Sequence, residues 1–218
     1  MIDALPRRAL FRFELPIHYL ARTPRMDGTM DKWTSKYLVP PLIELEDQTP
    51  IADVYAAWNE DCFLVAFDIP NRRGRPECDP EHWWKKDGLR VCIDTRGARD
   101  IKRATRFCHF FYLLPSGGGT SGRSPVVGTH RMSRAKEPPP VVDVSRIKVG
   151  VHVTQRGYSL EAAIPGSCLS GWDPAEHPRI GFFYKVKDLV LGDQHLSVND
   201  DLGWNADPST WASGVLTR

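Results

Sequence analysis

Apolar positions in this chain recur at every second residue far more than at every third or fourth. Two β-rich runs, 52–58 (ADVYAAW) and 62–69 (CFLVAFDI), flank the polar residues Asn59, Glu60 and Asp61, which is the pattern of a hairpin. Both faces of these runs are mostly apolar, so they are expected as a central pair in a two-layer structure. In 88–94 (GLRVCID), Leu89, Val91 and Ile93 share one face and Arg90, Cys92 and Asp94 the other. Further strands are expected over 106–115, 147–155, 158–165, 179–189 and 211–218, with a turn at Arg156-Gly157. No segment holds a 3.6-residue apolar period over three turns, so only a few short helices are expected. Residues 70–82, 116–125 and 131–140 read as loops, the last ending in three prolines that favour an extended chain. The expectation is one all-β domain over 1–218, an antiparallel β-sandwich of jelly-roll or immunoglobulin-like outline.

Charge narrows the classes of partner. The net charge is +2, too mild for a nucleic-acid surface, and the densest basic group (Arg96, Arg99, Lys102, Arg103, Arg106) reads as a solvated loop. No run approaches a membrane span, and the N-terminus shows no apolar leader segment, which as the chain stands points to the cytosol. Cys62, Cys78, Cys92, Cys108 and Cys168 are odd in number and lack C-x-x-C spacing, so they read as reduced thiols rather than disulfides or zinc ligands. Hydrolase and phosphate-loop motifs are missing. Cys108 and His109 are adjacent, hence on opposite strand faces, which is wrong for a nucleophile and its base; His109 reads as a packed strand residue. Haem needs two ligands reaching one cavity, and Met132, His130 and His152 define no such pair. Catalysis is therefore not expected.

Two places carry candidate binding chemistry. The adjacent pair Trp83-Trp84 precedes a strand among charged residues. If the chain is extended there, one ring faces the core and the other faces out, and an exposed indole offers a large apolar face. The second place is VNDDLGWNADP (198–208), where Asn199, Asp200, Asp201 and Asn205 surround Trp204. This composition suits a polar pocket with an aromatic floor, and equally a cluster of turns. Its carboxylates, or Asp27 with Asp31, are the oxygen ligands calcium takes, although no EF-hand spacing exists.

The order of motifs resembles the family 9 carbohydrate-binding modules and the DOMON-like sandwiches around them. The matching pieces are MDGTMDKW (26–33), ADVYAAWNEDCFLVAFDI (52–69), WWKKDGLRVCID (83–94), YSLEAAIP (158–165), IGFFYKVKD (180–188) and WNADPSTWASGVL (204–216). In sugar-binding members two tryptophans sandwich a terminal sugar ring. The resemblance puts Trp84 at the first position and Trp204 at the second, with Trp172 as the reserve candidate. Asp87, Asp94, Glu161 and Asp188 match positions that look structural, as acceptors for loop amides near strand ends. The acid that binds sugar hydroxyls in those members is replaced here by Arg90. Arginine cannot accept a hydrogen bond but pairs well with carboxylate, phosphate or sulfate.

The resemblance thus implies non-catalytic binding of a carbohydrate or other small polar ligand, and the exchange at Arg90 implies an acidic sugar. Trp84, Arg90, Trp204, Asn199, Asp201 and Trp172 are the candidate ligand-binding residues, with no cofactor other than calcium in view. The alternative is an interaction or scaffold domain that has kept the fold and lost the sugar site.

Overall fold

The computed structural model describes residues 5–138 and 141–218, so Pro139 and Pro140 of the expected extended run lie outside the described residues. The chain is all-β. Its strands are β1 Glu14–Tyr19, β2 Asp53–Trp58, β3 Cys62–Pro70, β4 Gly88–Asp94, β5 Cys108–Gly118, β6 Ser124–Thr129, β7 Lys148–Val153, β8 Gly157–Pro165, β9 Arg179–Asp188, β10 Gly192–His195 and β11 Ala212–Thr217. The only helical elements among the described residues are short 3-10 turns.

The strands lie in the order β6-β5-β4-β9-β11-β1-β2-β3-β8-β7, with β10 paired to β9. All pairings are antiparallel except those of β1, which runs parallel to both β11 and β2. That strand is where the sheet turns over: it matches β11 over five residue pairs but β2 only at His18 and Tyr19. Beyond the bend, Phe63 and Phe67 of β3 meet Phe182 and Tyr184 of β9 ring to ring, with centroids 5.5 and 6.3 Å apart. These strands are remote along the sheet, so the contacts cross the core of a sandwich. The ends of the path, β6 and β7, also lie against each other, which makes the sandwich nearly a closed barrel.

The expected hairpin forms, and its turn has a chemical cause. Asn59 Oδ1 accepts the amides of Asp61 and Cys62 at 3.0 Å each, so the side chain folds the chain back on itself. Both faces of β3 are apolar because both are covered. One faces the main core; on the other, Leu64 and Ala66 join Ala57, Cys62, Ala163 and Trp33 in a separate small cluster. The cover is the 26–33 segment, and Glu161 of β8 holds it down. This fully buried carboxylate accepts the amides of Asp27 (2.6 Å) and Gly28 (2.7 Å), the indole N–H of Trp33 (3.0 Å) and Lys32 Nζ (2.9 Å). Gly28 has φ +88°, and a Cβ there would stand 2.3 Å from the Val151 backbone, so only glycine lets the segment lie this close to β7.

Three strands differ from the sequence expectation. β1 carries Pro16, which marks a run as non-strand, yet Pro16 lies where β2 does not pair and its missing N–H costs no ladder bond there. Of the expected loop 116–125 only residues 119–123 are a turn; its ends belong to β5 and β6, with a register shift between Leu114 and Gly118. β10 (GDQH) has no apolar pattern and exists through its pairing with β9.

Candidate functional site

Residues 81–85 form a turn rather than the extended lead into β4. The two rings diverge all the same, because the turn, not strand alternation, separates them. Trp83 is half-buried and stacks on Tyr112 of β5, centroids 4.9 Å apart and planes 4° from parallel. It also meets Phe110 edge-on at 5.4 Å. Tyr112 can lie flat because its β6 partner is Gly128, where a Cβ would fall 2.0 Å from the phenol ring. Arg90 fixes the turn from below: Nη2 donates to the Trp83 carbonyl and Nη1 to the Gly88 carbonyl, each at 2.7 Å. Its guanidinium lies 5.4 Å from the Trp83 ring centroid, a cation–π contact. Trp84, edge-on to Trp83, is 51% exposed.

The facing wall is the 199–205 segment. Trp204 stacks on Phe183 of β9 at 4.8 Å and touches Phe110 at 5.5 Å. Its indole N–H donates to Asp200 Oδ1 at 2.8 Å. Asp200 also pairs with His195 Nε2 at 3.1 Å and Lys185 Nζ at 2.6 Å, and Lys185 in turn reaches Asp193 at 2.9 Å. The His195 hydrogen bond, then those from Lys185 and Trp204, hold the Asp200 carboxyl far below the usual carboxylate range against the opposing cost of burial.

Between these walls is a cavity of about 160 Å³ lined by Trp83, Trp84, Arg90, Phe110, His130, Lys185, Asp200, Trp204 and Asn205. It is smaller than the roughly 300–1,000 Å³ of pockets for drug-sized ligands, so it suits one ring rather than a long molecule. Arg90 is 2% exposed and has no carboxylate within ion-pairing distance among the described residues. Burial pulls its pKa down to about 10, which leaves it cationic at neutral pH. Of its five N–H donors, two serve the Trp83 and Gly88 carbonyls. The cavity therefore combines aromatic faces with one unneutralised positive charge.

Trp84, Arg90 and Trp204 thus meet, although Trp204 is 5% exposed and offers an edge more than an open platform. Asn199 and Asp201 do not line this cavity; they belong to a neighbouring one on the far side of Asp200. Trp172 is elsewhere, packed edge-on against Phe63 with its N–H donated to the Glu60 carbonyl. Sequence reasoning missed Phe110, Tyr112, His130 and Lys185. The aromatics on both faces of β5 were the available signal, but nothing in the sequence said which face meets the turn.

The four family-position acids hold backbone, as expected. Asp94 accepts the amides of Arg96 and Ala98, Asp87 those of Glu77 and Leu189, Asp188 those of Val190 and Leu191, and Glu161 those already given. Arg72 pairs with Asp87 at 2.9 Å and with Asp188 at 3.3 Å. His109 is buried and accepts the Ser170 amide at 2.9 Å. His130 lies against Trp83 and Phe110, while His152 borders a different groove, so the two do not face each other. Of the expected calcium ligands, Asp200 converges with Asp193 and His195, but one of the three is an imidazole and the Lys185 ammonium already stands against both carboxylates. Asp27 is likewise held by Lys32 Nζ at 2.7 Å.

No protein-family model matches this chain, and no curated protein matches it. Solved structures do. A family 9 carbohydrate-binding module from Caldicellulosiruptor kristjanssonii, in complex with cellotriose, superposes with a TM-score of 0.65 at 14% identity over 94% of this chain and 93% of its own. The same kind of module with glucose gives 0.65 at 15% identity, over 94% and 95%. A candidate carbohydrate-binding protein from Bacteroides uniformis gives 0.55 at 9% identity, over 95% and 100%. At these identities the likeness speaks for the fold: nearly end to end, the chain is built like a family 9 carbohydrate-binding module.

Proposed function

We propose that this chain binds carbohydrate without turning it over, in the aromatic cavity beside Trp84, and that its ligand includes an acidic sugar. The observation that carries the reading is a half-exposed indole at the mouth of a ring-sized cavity walled by Trp83, Phe110 and Trp204. Sugars present C–H faces that such surfaces cover. The structural neighbours found with cellotriose and with glucose support a sugar ligand. The acidic sugar rests on Arg90, whose buried charge has no carboxylate partner and whose remaining N–H groups suit a carboxylate. Non-catalytic binding fits the lining. Glycoside hydrolysis generally uses two carboxylates across the bond, and the one carboxylate here, Asp200, is engaged by three donors. The reading requires no calcium at this site.

The burial of Trp204 favours a second reading, an interaction domain that keeps the fold without a working sugar slot. Calorimetric titration with glucose, cellotriose, glucuronate and galacturonate, each with calcium and with chelator, separates the two. The expected result is saturable binding that survives chelation, favours the acidic sugars, weakens with added salt for those alone, and is lost in Trp84→Ala. Equal affinity for glucose and glucuronate removes the acidic-sugar part. Silence with every sugar, from folded protein, favours the interaction domain.

A further inference from the structure

The basic loop 96–106 does not stand alone. The segment 131–137 (RMSRAKE), which leaves the far end of β6, lies against it. The Lys136 amide donates to the Ala104 carbonyl at 2.8 Å, the Arg106 amide to Glu137 at 3.3 Å, and Arg103 Nε to the Arg134 carbonyl at 2.7 Å. Ala104 and Met132, 2% and 3% exposed, root the two segments in the main core. The joined surface carries the exposed cations Lys102, Arg103, Arg106, Arg131, Arg134 and Lys136 against two exposed carboxylates, Asp100 and Glu137. None of these cations forms an ion pair among the described residues, whereas Arg99 beside them is held by Glu14.

Like charges gathered in this way repel one another. Neutral groups hold several of them in place. Phe107 takes two guanidiniums in cation–π contact, Arg96 at 4.5 Å and Arg106 at 5.0 Å from its centroid. Arg96 Nη1 also donates to the Gly171 carbonyl at 2.8 Å. Arg134 has φ +59°, a left-handed conformation uncommon outside glycine, and its carbonyl holds Arg103. A ring or a carbonyl orients a guanidinium without cancelling its charge, which a carboxylate would do. Most of the exposed cations are arginines, whose planar fork meets a carboxylate in a fixed direction, where lysine acts as a point charge. Arginine beside a half-buried aromatic ring is also the composition of protein interfaces, in which lysine is depleted. Phe107, engaged by two arginines, is not free to stack on nucleic-acid bases. We infer that the joined 96–106 and 131–137 surface docks a carboxylate-rich segment of a partner protein. The inference stands apart from the sugar-binding reading and does not need it.

The test measures fluorescence anisotropy of a labelled oligoglutamate peptide titrated with the intact chain. Oligothymidylate and oligogalacturonate of equal charge, and phosphatidylglycerol vesicles, serve as the competing anions. The expected result is saturable, salt-sensitive binding of the peptide, tighter than that of the other three. Arg106→Gln with Arg134→Gln, exposed side chains that make no hydrogen bond among the described residues, weakens it at least about tenfold, the worth of a charge-assisted contact. Arg103→Lys with Arg106→Lys keeps the charge but loses the fork, and weakens it at least about threefold. Trp84→Ala leaves it unchanged. A folded protein that ignores the peptide overturns the inference, as does full affinity in the glutamine pair or loss of binding in Trp84→Ala. Full affinity in the lysine pair overturns it in favour of diffuse charge, and tighter binding of any competing anion overturns it in favour of that class.

Discussion

Two regions of this molecule use tryptophan to lay a loop on a sheet, and they do so with opposite economies. At the 26–33 segment the Trp33 ring is 6% exposed, its N–H is given to Glu161, and the same carboxylate takes two loop amides and a lysine. Every strong polar group there has a partner inside the protein. At the 81–86 turn the hydrogen bonding is managed from below by Arg90, and Trp84 is left half in water, its indole N–H with no acceptor among the described residues. A surface that keeps a large apolar ring exposed beside an unpaired buried cation has spare binding capacity; one whose polar groups are all spent has only stability. The contrast separates two similar-looking W-containing motifs into a clamp and a candidate site.

Glu161→Ala is the largest test of the contrast. Removing one partner of a buried charged network costs about 3–5 kcal/mol, read as a shift in the urea midpoint, while sugar affinity of the folded fraction is unchanged. A loss below about 1 kcal/mol would end the clamp interpretation.

Acid probes a buried group of β5 outside both regions. Burial lowers the His109 pKa from its ordinary 6.5 to about 4. The neutral ring is thus favoured in the folded state. Its contribution is complete above pH 6.5 and is lost as pH falls to about 4, where the folded protein also takes up the proton. About 3 kcal/mol should disappear across that window, and His109→Gln, which keeps an acceptor for Ser170, should flatten the profile. An unchanged profile in the variant would assign the acid limb to other groups.

Trp33→Phe removes one hydrogen bond to a carboxylate and should cost about 1.5–3 kcal/mol. Trp84→Ala should leave stability within about 0.5 kcal/mol, as for an exposed side chain, yet lower sugar affinity at least about tenfold. If the two tryptophans exchanged these signatures, the assignment of clamp and site would be inverted.

Much of this was written in the order of residues. The hairpin 52–69, β4 and the β7–β8 pair could be read because alternation, Asn59 and Gly157 act locally. The backbone-holding acids were singled out by the family resemblance rather than by local pattern. β1 and β10 could not be read, because their strand character comes from neighbours far away in sequence: β1 from β11, nearly two hundred residues on. The site shows the same division. Trp84 and Arg90 come from one local stretch, and both line the same cavity. Asn199 and Asp201 were grouped with Trp204 by sequence proximity, but the 3-10 turn Asp200–Leu202 sends them to the far side of Asp200.

The sequence by itself determined an all-β sandwich, because side-chain alternation and turn chemistry are short-range properties, while the choice of Trp84 over Trp83 as the outward ring came from the family resemblance. Tertiary structure alone decided that Trp83 stacks on Tyr112 across Gly128, that Lys185 and Asp200 neutralise one another, and that Arg90 does not find a carboxylate. Those outcomes depend on which strands become neighbours when the sheet folds over at β1, and burial in that fold, not residue type, sets which charges are spent and which remain for a ligand.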